Sequence, residues 1–205
     1  MAATCPDNLD VDILREKIRA TYDRVAHQPH GEYHFHRGID YACTLLGYDR
    51  AELESLPLSS VEPFAGVGNP HRIGTIQPGQ SVLDVGCGAG MDLLLAARRT
   101  GPTGRAIGVD MTPAMCERAR AAATEAGVDE IVDIRAGTAE KLPVDDASID
   151  AVMSNGVLNL SPDKKAAFGE VFRVLKPGGQ LFLADVVVQR ELSLDARSDV
   201  DLWAA

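Results

Sequence analysis

The feature that most constrains this chain is a glycine-rich turn that directly follows a short apolar run, in the sequence VLDVGCGAGMDLLLAA at residues 82–97. Gly86, Gly88 and Gly90 alternate with other residues between a strand-like run and a helix-forming run. A strand that reverses sharply into a helix can require positive φ, and glycine also lets a ligand approach the backbone. The turn therefore predicts a strand-turn-helix unit with a binding site at the turn. A purely structural turn is the alternative.

From residue 81 onward, short β-branched runs alternate with longer helical runs, which is typical of β-α-β units around a parallel sheet. The Lys-Pro-Gly-Gly run at residues 176–179 predicts a turn after the last helix. We therefore expect an α/β fold, a Rossmann-like, doubly wound, mostly parallel sheet that forms the core over residues 76–205. The predicted strands cover residues 81–85, 105–109, 131–136, 149–153 and 180–188, and the predicted helices cover residues 90–100, 112–126 and 162–175.

The first third of the chain predicts a helical arm outside the sheet. Apolar residues spaced three and four apart indicate a helix over residues 10–26 that stops before Pro29. Shorter helices are expected at residues 40–46 and 50–56. We expect residues 1–75 to form this arm and a lid over the binding site.

Two acidic residues stand near the glycine-rich turn. Asp84 lies two positions before the first glycine, and Asp110 ends the second predicted strand, about twenty residues beyond the turn, where a carboxylate can accept both hydroxyls of a ribose. A dinucleotide fingerprint would need a glycine where this chain has Met91. A carboxylate at position 84 repels a pyrophosphate but suits a cationic ligand with an amino group, which points to S-adenosylmethionine. Met111 would then pack on the adenine, whereas an isolated acid at a strand end is more often a helix cap.

With these motifs the chain resembles the class I S-adenosylmethionine-dependent methyltransferases. The runs VLDVGCGAG, GVDMT, GTAEKLP and LKPGG carry the resemblance, over roughly residues 64–190. It implies S-adenosyl-L-methionine as the cofactor, bound by Asp84, the three glycines of the turn and Asp110. In that family the loop after the third strand contacts adenine, so Thr138 or the backbone of Ala139 is expected to do so here. An ordinary polar turn is the alternative.

A narrower resemblance is to the arsenite methyltransferases, through FAGVGNP at residues 64–70, IGVDMTPAM at residues 107–115 and SNGVLNLSPDK at residues 154–164. It implies that Asn155 lies beside the methyl donor and faces the acceptor, as a cofactor-binding and catalytic residue. Ser161 or Asp163 would cap the next helix.

This chain departs from the arsenite methyltransferases at the cysteines that bind trivalent arsenic, a soft centre that favours thiolates. Val67 and Gly156 occupy two of those places, and the sequence ends before the third. Cys43 or Cys5 is another source of a thiol, although a buried, inert cysteine is the more ordinary role. The resemblance also implies an antiparallel hairpin that does not fit after residue 188, so either the chain is a fragment or its sheet edge needs cover.

Four of the five histidines lie in HQPHGEYHFHRG at residues 27–38. Alternation would place Glu32, His34 and His36 on one face of an extended segment. A metal site is one interpretation, but the spacing does not specify a closed tetrahedral set, and we expect no metal. A lid that excludes water is favoured, and an exposed linker is the third possibility. In a lid, His34 or His36 is the candidate general base for a hydroxyl, amine or carbon acid.

The charge balance favours a small-molecule partner. The chain has 30 acidic against 20 basic side chains, a net charge of -10, which disfavours binding to nucleic-acid phosphates. The start lacks a signal peptide and no apolar run reaches the length of a membrane span, so we expect a cytoplasmic protein without membrane contact.

Together these features predict an S-adenosylmethionine-dependent methyltransferase that acts on a small-molecule methyl acceptor, similar to the arsenite methyltransferases. An O-, N- or C-methyltransferase unrelated to arsenic and a non-catalytic S-adenosylmethionine-binding protein are the first alternatives. A nicotinamide-dependent oxidoreductase on a similar sheet is the third. The residues imply nothing about the oligomeric state.

Overall fold

The computed structural model describes residues 10–189 together with Ser193, Asp199 and Trp203. Its strands are β1 Ser81–Val85, β2 Arg105–Asp110, β3 Val132–Ala136, β4 Ile149–Asn155 and β5 Leu175–Ala184. They form a five-stranded sheet in the order β3-β2-β1-β4-β5, and every neighbouring pair is parallel. This arrangement is the predicted doubly wound α/β fold. The chain order reverses between β1 and β4, which is where such sheets bind ligands.

The helices of the sheet region begin and end within two residues of their predicted bounds. The described helices are α1 Val11–His27, α2 Gly38–Leu46, α3 Arg50–Glu54, α4 Leu58–Val61, α5 Met91–Thr100, α6 Pro113–Glu125 and α7 Lys164–Val174, with 3-10 turns at Pro70–Arg72 and Leu158–Leu160. Asp163 caps α7 by accepting a hydrogen bond from the Ala166 N–H, as expected. The short helix α4 was not predicted, because four residues are too few to show a helical period.

The central strands are buried on both faces, as parallel strands between two helical layers must be. All residues of β1 after Ser81 are buried, and so are the middle four of β2. On one face, Leu83 and Val152 pack with residues of α7, including Val171. On the other face α5 packs against the sheet, and its Leu93 is fully buried. The sheet and α5 therefore provide a rigid base for the turn that joins them.

The arm packs directly on the sheet region. Both α1 and α4 contact α6. The Arg118 guanidinium on α6 donates to the carbonyl of Ala26 and, at 3.1 Å, to the carbonyl of Ser59. Backbone carbonyls near the ends of α1 and α4 are thereby satisfied, which holds both helices beside the carboxyl ends of the strands.

The predicted bounds of the last strand are wrong. β5 begins at Leu175, directly after α7, and ends at Ala184 rather than at residue 188. Residues 176–179 are a bulge inside this strand, not a separate turn, because the register between β4 and β5 shifts around Asp150. Lys176 Nζ lies 2.8 Å from an Asp150 carboxylate oxygen and holds the bulge against β4. The predicted absence of a C-terminal hairpin concerns residues after 188, most of which lie outside the described part of the chain.

Across the described residues, no helix combines the length and the apolar character that crossing a bilayer requires.

The connection between α5 and β2 yields a stability test. A methyl group added at Gly104 would overlap the Thr100 side chain and lie 2.7 Å from the Gln80 carbonyl oxygen. We expect Gly104→Ala to lower the free energy of unfolding by about 1–3 kcal/mol through overpacking, measured by urea unfolding. Gly169 in α7 is the matched control, since a methyl group there meets nothing within 4 Å. Gly169→Ala is expected to stabilise the chain by about 0.5–1 kcal/mol, and equal effects of the two changes would contradict the packing described here.

Candidate functional site

A cleft of about 1100 Å³, measured with its open mouth, lies at the carboxyl ends of β1, β2 and β4. The glycine-rich turn forms its floor, and residues of α1 and of the loop after α4 form its outer walls. This is the position at which the reversal of strand order leaves a crevice in doubly wound sheets.

The structure brings most of the predicted cofactor-binding residues into this one cleft. The residues that line the cleft are Asp84, Gly86, Gly88, Asp110, Met111, Thr138, Ala139 and Asn155. Gly90 is the exception, since it is not among the lining residues.

The three glycines of the turn all take positive φ, and the space that a side chain would meet differs among them. A side chain at Gly86 would overlap the side chain of Val157. A side chain at Gly88 would meet nothing within 4 Å, so this backbone faces open space in the cleft, where a ligand can approach. Gly90 precedes α5 in the left-handed conformation, and a Cβ there would lie 3.4 Å from Ala119 Cβ, so it permits close helix packing.

Asp84 is a buried carboxylate without a partner. Its residue is 3% exposed, and no donor among the described residues forms a hydrogen bond with its side chain. Burial raises the pKa of Asp84 well above its ordinary value, and repulsion from Asp92 and Asp110 raises it further. Such a group is costly unless a cation or donor reaches it, and it faces the cleft. The cleft therefore fits a ligand with an ammonium group at this point.

Asp110 is half-buried, and two backbone N–H groups donate to its carboxylate. One carboxylate oxygen accepts from the Gly88 N–H at 2.9 Å, and the other accepts from the Thr112 N–H at 2.8 Å. Burial raises the pKa of Asp110, while these hydrogen bonds act in the opposite direction. Each oxygen keeps a lone pair for a further donor, which fits a pair of ribose hydroxyls.

Helix α1 contributes three lining residues that the sequence interpretation did not assign to the site, Arg15, Ile18 and Tyr22. Burial, and then the Asp110 carboxylate, raises the pKa of Tyr22 to about 12, so the phenol is protonated at neutral pH. Ile18 and Tyr22 had been interpreted only as the apolar face of a helix. Their helical spacing shows that they face inward, but not that they face a cleft.

The two predicted catalytic histidines are not brought to the cleft. Alternation along the segment is as predicted, but His34 and His36 lie on its exposed face. Tyr33 and Phe35 lie on the inner face, and the Phe35 ring stacks on Tyr22 with centroids 6.0 Å apart. The aromatic residues thus bind the segment to α1 and turn the imidazoles outward. No group of three or more potential metal ligands occurs in the part of the chain that the structure describes.

Val67 and Gly156, where the resemblance to the arsenite methyltransferases implies cysteines, lie side by side here. A Cβ built at Gly156 would be 3.1 Å from Val67 Cγ1. Cys43 lies half-buried on α2 and does not line the cleft, whereas Cys87 lines it. Burial raises the pKa of the Cys87 thiol well above its usual range, so it is a poor thiolate donor. Cys5 lies outside the described residues.

Comparison with known proteins gives a family match. A family model described as "Methyltransferase domain" matches residues 76–204. An arsenite methyltransferase from Halobacterium salinarum is 41% identical over 156 residues, which are 76% of this chain and 39% of that protein. An arsenite methyltransferase from Mus musculus is 36% identical over 205 residues, covering 95% of this chain and 53% of that protein.

A solved structure gives the same relationship. The crystal structure of CrArsM, an arsenic (III) S-adenosylmethionine methyltransferase from Chlamydomonas reinhardtii, superposes with a TM-score of 0.68 at 39% identity. The match covers 75% of this chain and 53% of that one. The chain thus spans about half the length, or less, of these relatives.

The unpaired carboxylate of Asp84 has a measurable cost. The pKa of Asp84 is higher in the folded than in the unfolded state. The free energy of unfolding is therefore highest where the carboxyl is protonated in both states, and it falls as the pH rises through the folded pKa. Asp84→Asn should therefore raise the melting temperature of the ligand-free protein at pH 7–8 by about 2–4 °C, the shift that ~1 kcal/mol produces at this length.

The gain should shrink as the pH is lowered into the range where the wild-type carboxyl is protonated. Thermal unfolding at several pH values measures this effect. Asp129→Asn, at an exposed residue, is the control and should leave the melting temperature unchanged. A lower melting temperature for Asp84→Asn at pH 8 would show that Asp84 is stabilised by a partner in the free protein.

Proposed function

Because this chain belongs to the methyltransferase domain family, whose cofactor is S-adenosylmethionine, we propose that it transfers a methyl group from that cofactor to a small molecule held in the cleft. The observation that carries the proposal is the buried, unpartnered carboxylate of Asp84 beside the open backbone of Gly88. This arrangement matches a ligand that joins an amino group to an adenosyl sulfonium.

In this proposal different residues of the cleft bind different parts of the cofactor. The Asp84 carboxylate accepts from the ammonium group, and Asp110 accepts from the ribose hydroxyls through the lone pairs that Gly88 and Thr112 leave free. Met111, with Thr138 or the backbone of Ala139, borders the adenine. When bound, the cofactor would supply a methyl carbon attached to positively charged sulfur. A lone pair of the acceptor attacks this carbon and the sulfur leaves as a neutral thioether, so no covalent enzyme intermediate is needed. The chain then has to align the acceptor and exclude water.

The acceptor is proposed to be small and similar to that of the arsenite methyltransferases. The relatives from Halobacterium salinarum and Mus musculus carry that name, which supports a soft acceptor. Val67 and Gly156 offer no thiolates beside the cleft, so thiolates for such an acceptor would come bound to it, as in a glutathione conjugate. An acceptor with a hydroxyl, amine or carbon acid, and cofactor binding without turnover, remain the alternatives.

The general-base role of His34 and His36 stays a prediction. It requires residues 31–37 to move, since His34 and His36 are exposed and neither lines the cleft. An acceptor whose lone pair is free at neutral pH needs no such base. We propose the cytoplasm as the compartment, on the amino-acid composition.

Isothermal titration with S-adenosylhomocysteine tests the cofactor site. Removing one charge-assisted hydrogen bond typically costs ~1.5–3 kcal/mol, so Asp84→Asn and Asp110→Asn should each weaken binding about 10- to 100-fold. Asp129→Asn is again the exposed control and should bind like the wild type. Equal affinity in all four proteins would contradict the assignment of both carboxylates.

A labelled methyl group tests the acceptor. The protein is incubated with labelled S-adenosylmethionine and either arsenite with glutathione or a cell extract, and the products are resolved by mass spectrometry. Labelled methylarsenic species would support the soft acceptor, and a labelled organic product would assign the reaction to another acceptor. Tight binding of the cofactor product without any labelled product would favour the non-catalytic alternative.

A further inference from the structure

The loop of residues 62–70 forms one wall of the cleft, yet it has almost no regular structure of its own. Phe64, Ala65 and Gly66 line the cleft directly. In such a loop the backbone polar groups must find partners outside a helix or a sheet ladder. Tyr41 supplies one of these partners, because its hydroxyl donates to the Gly66 carbonyl at 3.0 Å.

The amide of Asn155 satisfies three more of these groups. Its Oδ1 accepts from the Val67 N–H at 2.8 Å and from the Gly68 N–H at 3.0 Å. Its Nδ2 donates to the Gly68 carbonyl at 2.9 Å. One side chain at the end of β4 therefore replaces a short stretch of sheet pairing for a loop almost ninety residues earlier in the chain.

The amide of Asn155 is held in turn by a buried carboxylate. Its Nδ2 also lies 3.0 Å from Asp92 Oδ2, and the Tyr48 hydroxyl donates to Asp92 Oδ1 at 2.7 Å. Burial, and then the charge of Asp92, raises the pKa of Tyr48, so this phenol remains a donor. His71 Nε2 is 3.3 Å from the same Asp92 oxygen, without the alignment of a hydrogen bond. Asp92 is in the first turn of α5, so the network connects the loop to the helix that follows the glycine-rich turn.

The loop approaches this network so closely that only glycine fits at two positions. A Cβ at Gly66 would overlap the Asn155 amide, and a Cβ at Gly68 would lie 2.7 Å from Ala184 Cβ in β5. Because β4 and β5 lie on the opposite side of β1 from β2 and β3, the loop stands across the cleft from Asp110 and Thr138. This is the side left for the acceptor once the adenosyl group lies over β2 and β3.

We propose that Asn155 and Asp92 are positioning residues that hold the loop of residues 62–70 as the acceptor-facing wall of the cleft. The acceptor then contacts the loop, and Asn155 acts through the loop rather than on the reacting atoms. This proposal rests on the methyltransferase function proposed above, and it replaces both the cofactor-binding and the direct catalytic role expected for Asn155.

Amide hydrogen exchange tests the proposal on the full chain. In Asn155→Ala we expect the exchange of the Val67 and Gly68 amides to accelerate by about tenfold or more, because both lose their acceptor. Amides of β1 and α5 should keep their wild-type rates. Asn159→Ala is the matched control, because the described structure gives the Asn159 side chain no hydrogen bond to the loop. Tyr48→Phe, which removes one donor to Asp92, should give a smaller acceleration at the same two amides.

Affinity for the cofactor product and the two KM values distinguish a role in positioning the loop from a general folding defect. Asn155→Ala should bind S-adenosylhomocysteine within about threefold of the wild type and raise the KM for the acceptor about tenfold, with little change in the KM for S-adenosylmethionine. The kinetic arm uses arsenite with glutathione or, if that pair yields no product, the acceptor recovered from the extract.

Three outcomes would overturn the proposal: unchanged exchange at residues 67 and 68, acceleration spread through β1 and α5, or loss of cofactor affinity equal to the loss of acceptor affinity. If the wild type itself does not bind S-adenosylhomocysteine, the proposed function fails. The exchange result then still decides whether Asn155 holds the loop.

Discussion

Three carboxylates around one glycine-rich turn, two of them buried and one half-buried, are the constraint on which the rest of the site depends. Asp92 and Asp110 are close enough to Asp84 for their charges to raise its pKa. The fold satisfies two of them, Asp110 through backbone N–H groups and Asp92 through Tyr48 and Asn155. Asp84 has no such partner among the described residues, and it faces the cleft. A cationic ligand is the component that would relieve this charge, so the ligand-free site is built at a cost to stability.

The same turn connects the two sides of the cleft. Gly86 and Gly88 bend the chain so that β1 ends at the cleft, and Asp92 follows in the first turn of α5. From Asp92 the hydrogen bonds continue to Asn155 and on to the loop of residues 62–70. A buried network of this kind is rigid when every member is satisfied, which suits a reaction that depends on alignment. The outer face of the cleft is closed by α1, a helix of the arm.

Much of the fold and half of the site followed from local sequence patterns. β1 was predicted with its observed bounds, and the cluster of Asp84, Gly86, Gly88 and Asp110 was predicted because strand ends in a parallel sheet meet at one edge. The bulge at residues 176–179 was missed, since its turn residues are the same whether the turn ends a helix or interrupts a strand. The outward position of His34 and His36 was missed because alternation shows which residues share a face, not which face is buried.

By itself, the sequence determined the strand-turn-helix unit, the α/β class and the two acids at the strand ends, because each depends on the spacing of residues near one another in the chain. Only the tertiary structure decided that Tyr22 of α1 borders the cleft, that the Asn155 amide accepts from the Val67 N–H, and that it lies within hydrogen-bond distance of Asp92. These contacts join residues many tens of positions apart, and their formation depends on how helices pack on the sheet. No periodicity or spacing along the chain encodes that packing.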